Sequence, residues 1–101
     1  MEVRWSKTAL LELETIFLYI SEHSRIGAQA VVERIEHASK RLELFPYTGE
    51  EVSEAGTRTL AIVRYPYMLY YAVDEALDEV VMLHVRHTAQ EKPAADDPRT
   101  G

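Results

Sequence analysis

The chain has no cysteine, so a disulfide framework and thiol chemistry are excluded. No apolar run approaches the ~20 residues of a membrane-crossing helix. The opening MEVRWSK lacks the apolar stretch of a secretory leader. These absences predict a cytoplasmic protein with no membrane partner. Basic residues are scarce as well: 11 Lys and Arg stand against 17 Asp and Glu, a formal net charge of −6. Nucleic-acid binders draw much of their affinity from phosphate neutralisation, so a polyanion is disfavoured as the main partner. G-x-G-x-x-G, P-loop, G-x-S-x-G and paired-carboxylate signatures are missing too, and no cofactor is expected. What is present is an ordinary globular balance, 47% apolar and 28% charged, in 101 residues that can build one modest core.

Local patterns set the order of elements. EVRW (Glu2 to Trp5) alternates apolar and charged residues and predicts a short strand. Ser6 is a suitable N-cap for a helix through about Glu22, with Leu10, Leu13, Ile16, Phe17 and Ile20 as its core stripe. Leu11 and Leu18 project from nearly the opposite side. They form either a second packing surface inside the fold or a docking surface for a partner. Ser24 and Gly27 mark a break, and a second helix runs to about Leu44, with Ala28, Val31, Val32, Ile35, Ala38 and Leu42 on one face. FPYTGEE stops it at Pro46 and turns the chain at Gly49. An acidic loop follows, then three strand candidates: Thr57 to Val63, Tyr67 to Val73, and Glu79 to His87. EKPAADDPRTG reads as a disordered tail over residues 91–101, leaving 1–90 as a single domain.

This order predicts an α+β fold, β-α-α-β-β-β. A helical hairpin would pack on one face of a mostly antiparallel four-stranded sheet. In the last strand Val81, Leu83 and Val85 are expected beneath the helices, with Val80, Met82, His84 and Arg86 on the open face. The expected core is Trp5, Leu13, Phe17, Ile20, Val31, Ile35, Leu42, Leu60, Ile62, Val81, Leu83 and Val85.

From Thr57 to Val73 the only charges are Arg58 and Arg64, so a cationic sheet surface can exist on an acidic protein. His84 and His87 are three apart, which on a strand sends them to opposite faces, a poor chelate; no metal is expected. His23 and His37 fall at a helix break and on a helix surface. The set Arg58, Arg64, His84, Arg86 and His87 contains the residue types of metal-free RNA cleavage: a base, an acid, and a cation for the charged phosphorane. Composition alone favours a plainer arrangement, in which Arg58 and Arg86 pair with the acidic loops and the histidines finish a strand edge, because surface ion pairs are so common.

Four stretches, RWSKTALLELETIFLYISEHS, RLELFPYTGEE, GTRTLAIVRYPYMLYYAV and VVMLHVRHTAQ, resemble the RelE/ParE toxins of bacterial type II toxin–antitoxin systems. The likeness covers all but the tail. Its punctuation, F-P-x-x-G, T-R-x-L, Y-P-Y and a last strand ending R-H, is most similar to the ParE branch. The resemblance implies the fold already derived, a cognate ParD-like antitoxin, and growth inhibition through DNA gyrase. The RelE alternative implies ribosome-dependent mRNA cleavage, with Arg58, Arg86 and His87 as the working set. Against it, Met68 stands where some nuclease members carry arginine, and no lysine lies between Arg41 and Glu91. Gln90 is a departure within the ParE likeness itself, standing where a further basic residue is frequent. The residues expected to meet a partner are Leu11, Leu18, Arg58, Arg64, Met68, Tyr70, His84 and Arg86.

Overall fold

The structure, a computed structural model, describes residues 1–53 and 55–89. The proposed tail, with Gln90 before it, lies outside the described residues. Strand β1 (Glu2–Trp5) leads into helix α1 (Lys7–Ser21) and helix α2 (Arg25–Arg41). Then come β2 (Glu50–Glu51), β3 (Thr57–Ala61), β4 (Tyr67–Asp74) and β5 (Glu79–His87). Each helix starts on a serine whose hydroxyl accepts an otherwise unpaired N–H: Ser6 from Ala9 at 3.0 Å, Ser24 from Gly27 at 2.9 Å. Lys40 and Arg41 occupy the last turn of α2, where positive charge suits the helix dipole.

The sheet order is β1-β5-β4-β3-β2. Consecutive hairpins join β2 through β5 antiparallel, as the turn signals imply. Strand β1 runs parallel to β5, its neighbour across a crossover that spans both helices and β2 to β4. The sheet has five strands rather than the expected four. The addition is β2, where the acidic Glu50 and Glu51 pair with Thr59 and Arg58; two exposed glutamates carry no β pattern to read. The α1 stripe is also shifted. Ala9 is buried, and Leu13, Ile16 and Ile20 pack on the core, while Leu10 lies half in solvent.

The expected facing of β5 is half right. Tyr70 lies opposite His84 but Tyr71 opposite Met82, so Leu83 is an extra residue on β5, a β-bulge. Before the bulge Val80 and Met82 point under the helices, and Val81 is turned away. After it the alternation restarts, so Val85 points in and His84 and Arg86 point out. Val81 and Leu83 are therefore only half-buried, while Val31, Ile35, Leu42, Ile62 and Val85 are buried as expected. Trp5, Leu13, Ile20 and Leu60 pack on the cluster without being sealed by it. Phe17 is half-buried.

Tyrosines supply core that periodicity alone did not mark. Tyr67, Leu69 and Tyr71 alternate beneath the helices on β4. The Tyr71 hydroxyl is sealed in, accepting from Gly49 N–H at 2.8 Å and donating to Pro46 C=O at 2.9 Å. Arg58 pairs with Tyr71 across the strands and donates from Nη1 to Gly49 C=O at 2.8 Å, its guanidinium over the Tyr47 ring. A Cβ on Gly49 would stand 2.6 Å from both the Tyr71 hydroxyl and the Thr59 carbonyl, so no side chain fits there. The F-P-Y-T-G turn and the Thr57-Arg58 start of β3 are thus two halves of one clasp.

Two measurements follow from this packing. Met82→Ala should cost about 2–5 kcal/mol in denaturant unfolding, and Leu83→Ala distinctly less. The reverse ranking would restore the unbulged facing. Burial is the chief cause raising the phenol pKa values of Tyr67, Tyr70 and Tyr71 above the ordinary 10.0. Their folded values exceed their unfolded ones, so their stabilising contribution is complete below about pH 10 and is lost as pH climbs through the folded values. Phenolate absorbance followed beside unfolding should show part of the tyrosine signal delayed until the fold gives way.

Candidate functional site

Four of the expected contact residues come together on the sheet face away from the helices. Met68 and Tyr70 on β4 lie opposite Arg86 and His84 on β5. The His84 ring meets Tyr70 edge-on, with centroids 6.2 Å apart. The bulge at Leu83 makes this grouping possible, since unbroken alternation from Val80 would send His84 and Arg86 into the core.

An acid from the helix layer closes the group. Strand β1 stops at Trp5, so β5 has no neighbouring strand on that side beyond Met82. Ser6 takes up the edge first, its N–H donating to Met82 C=O at 3.0 Å and its hydroxyl to Leu83 C=O at 3.4 Å. Six residues further on, Glu12 Oε1 accepts from Val85 N–H at 3.0 Å, and Oε2 accepts from Arg86 Nε at 3.0 Å. His84 Nδ1 lies 3.3 Å from Glu12 Oε2 and 3.3 Å from Arg86 Nη2. One ring nitrogen can donate to the carboxylate or accept from the guanidinium, not both, so the histidine tautomer selects its partner. Sequence reading missed Glu12. Its signal was available: it stands three residues after Ala9 and four before Ile16, an acid inside the buried stripe.

The other candidates go elsewhere. Arg58 is on the helix side, spent on the Gly49 clasp, where its expected contact with acidic groups is replaced by carbonyl oxygens. Arg64 sits exposed in the β3–β4 turn with a left-handed φ of 78°, a conformation that side-chain-bearing residues rarely adopt. His87 shares the helix side with Val85 and lies edge-on to Tyr67 at 5.3 Å; its Nδ1 accepts from Ala89 N–H at 3.0 Å. Arg58, Arg86 and His87 therefore form no common site. His84 and His87 do lie on opposite faces, as strand geometry requires. Among the described residues no group of three or more His, Cys, Asp or Glu is placed to hold a metal, and no helix is long and apolar enough to cross a membrane.

Leu11 and Leu18 remain in water in the chain alone, at 55% and 57% exposure. They belong to the outer surface of α1. Leu11 lies between two shallow grooves, one shared with Leu10, Phe17 and Val32, the other with Ile16, Val85 and Arg86. Apolar surface thus continues from α1 to the edge of β5, where the Glu12 group sits. The α1 leucines are not an internal packing face of the described chain.

The charge-assisted bonds of Glu12 hold helix to strand. Glu12→Ala should cost about 1–3 kcal/mol, because the Val85 N–H and the Arg86 guanidinium both lose their acceptor. Glu12→Gln should recover part of this, since an amide oxygen can still accept from Val85. Equal loss in both variants by thermal unfolding would make the charge, not the backbone contact, the whole effect.

Comparison with known proteins agrees with this architecture. The family model for the ParE toxin of type II toxin–antitoxin systems matches residues 3–92. The protein Y4kP of Sinorhizobium fredii is 32% identical over 90% of this chain and 92% of its own length. Toxin RelE2 of Caulobacter vibrioides is 33% identical over 88% of this chain and 97% of its own. Among solved structures, the chromosomal ParDE system of P. aeruginosa superimposes with a TM-score of 0.74 at 23% identity, covering 86% of this chain and 95% of that one. The RelBE2 toxin–antitoxin complex of Mycobacterium tuberculosis gives 0.58 at 26% identity, covering 88% and 92%. The chain belongs to the ParE toxin family of type II toxin–antitoxin systems.

Proposed function

We propose that this toxin acts in the cytoplasm by binding DNA gyrase, without cutting RNA, and is silenced by a ParD-like antitoxin. The dispersal of the would-be nuclease residues supports this reading most directly. A metal-free ribonuclease needs base, acid and cation converging on one phosphate. Here Arg86 is held by Glu12, His87 turns to the helix side, and Arg58 clasps the loop at Gly49. The antitoxin would lay apolar side chains over Leu11 and Leu18, continue along the α1 groove, and reach the β5 edge, a helix-in-groove mode of recognition. Arg64, Met68 and Tyr70 would remain on the turn and open face to meet a partner.

One observation favours the RelE-like alternative. Tyr70, His84 and Arg86 do share the open face, and all three are residue types that nucleases use.

Induced expression separates the two readings. Wild type should raise gyrase-linked DNA breaks with no new mRNA ends, and His87→Gln should behave the same. Ribosome-dependent mRNA cuts that disappear in His87→Gln or Arg86→Ala would install the nuclease instead. With the antitoxin co-expressed, Leu11→Glu with Leu18→Glu should release toxicity that wild type does not show. Continued neutralisation of that variant would move the antitoxin off α1.

A further inference from the structure

The surface of α2 that faces β3 takes no part in anything described so far. Arg34, His37 and Arg41 follow one another at i, i+3 and i+7, so they share one side of the helix. All three line a groove of about 200 Å³ between α2 and β3, whose apolar lining includes Leu60, Ala61 and Val63. Arg34 and His37 also border the adjoining hollow, which extends to Tyr65 in the β3–β4 turn. Among the described residues the first groove has no acidic lining residue, and in the second Glu33 is the one acid.

The cations there are uncommitted. Among the described residues, the side chains of Arg34 and His37 have no hydrogen bond or ion pair, and Arg41 only covers the Phe45 ring at 5.8 Å. On a chain of net charge −6, acids to pair with them are abundant, yet both guanidiniums border an apolar surface instead. The backbone of β3 adds a second feature. Ile62 N–H donates to Tyr67 C=O at 3.0 Å, so by strand alternation Ala61 turns its N–H and C=O the other way. The pairing of β2 ends with Glu50 opposite Thr59 and leaves that edge open at Ala61.

We propose that this groove is a second recognition site, which takes an extended, carboxylate-bearing segment of a protein partner. Its carboxylates would meet the forked donors of Arg34 and Arg41, which suit planar bidentate pairing. Its apolar side chains would cover Leu60 and Val63, and its backbone would extend the sheet at Ala61. A polynucleotide would use the two arginines only. It would leave the apolar surface and the strand edge unoccupied, and the acidic chain would repel it. The site lies on α2 and β3, away from the α1 surface assigned to the antitoxin, and it stands whether or not gyrase is the target.

The test uses the full chain and a fluorescent synthetic peptide of alternating leucine and aspartate. Wild type should bind it at low salt and release it as salt rises, with amide shifts at Ala61 and Val63 in a nuclear magnetic resonance titration. Arg34→Gln with Arg41→Gln should weaken binding about tenfold or more while leaving the helical circular dichroism unchanged. Val63→Ser, at a position 64% exposed, carries no charge change and should weaken binding separately. Equal affinity in wild type and both variants, or shifts confined to α1, would overturn the proposal. So would tighter binding by a single-stranded oligonucleotide of matching charge, which would assign the groove to nucleic acid.

Discussion

The extra residue at Leu83 is the constraint on which the arrangement of this molecule depends. One residue inserted into β5 lets a single strand serve two faces in two halves. Val80 and Met82 fill the core beside β1, then Val85 fills it beside α1, and between these His84 begins a polar outer row. The bulge lies where β1 ends and α1 begins, and Ser6 ties it down by bonding to both Met82 and Leu83 while capping the helix. Without it, either the core or the outer row would have the wrong residues. Strand edges invite unwanted pairing, and here helix side chains occupy the one that β1 leaves unfinished. Glu12 supplies an acceptor to Val85 and turns the remaining charge toward Arg86.

The residues that identify the family are mostly structural. Pro46 and Gly49 receive the Tyr71 hydroxyl, and Arg58 fastens Gly49 from the adjoining strand. A buried phenol without these two partners would carry a cost of about 1–3 kcal/mol, which is a large part of a small domain's stability. Such residues report the fold and say little about the target. Solved structures named for ParDE and for RelBE both superimpose on this chain.

Much of the architecture was legible in the sequence because it rests on short-range rules. The Ser6 cap, the helix break at Ser24 and the bounds of β5 are local signals that hold, whereas Gly27, expected in the break, lies inside α2, and α2 ends at Arg41 rather than near Leu44. The placement of Leu11 and Leu18 on an outer face was legible too, since helical periodicity alone decides it. Three features were not. A bulge leaves no mark in composition, so the facing of Val80, Val81 and Met82 was inverted while that of Val85, His84 and Arg86 was correct. Tyr71 has a polar end, so its burial depended on partners 22 and 25 residues earlier in the chain. Arg58 looks like any surface cation until the carbonyls that hold it are brought near by the turn at Gly49.

The parallel pairing of β1 with β5 governs the order of assembly during synthesis. Glu2 to Trp5 emerge first but find their partners only at Glu79 to Met82, so the longest loop in the fold closes last. At roughly 5–20 residues per second the N-terminal strand waits several seconds, tethered to a helical hairpin that has nothing to cover. A chain truncated before β5 would retain both helices but lack the strand that receives Ser6 and Glu12 and carries His84 and Arg86. Until β5 has left the ribosome, the chain can therefore complete neither its core nor the Glu12 group.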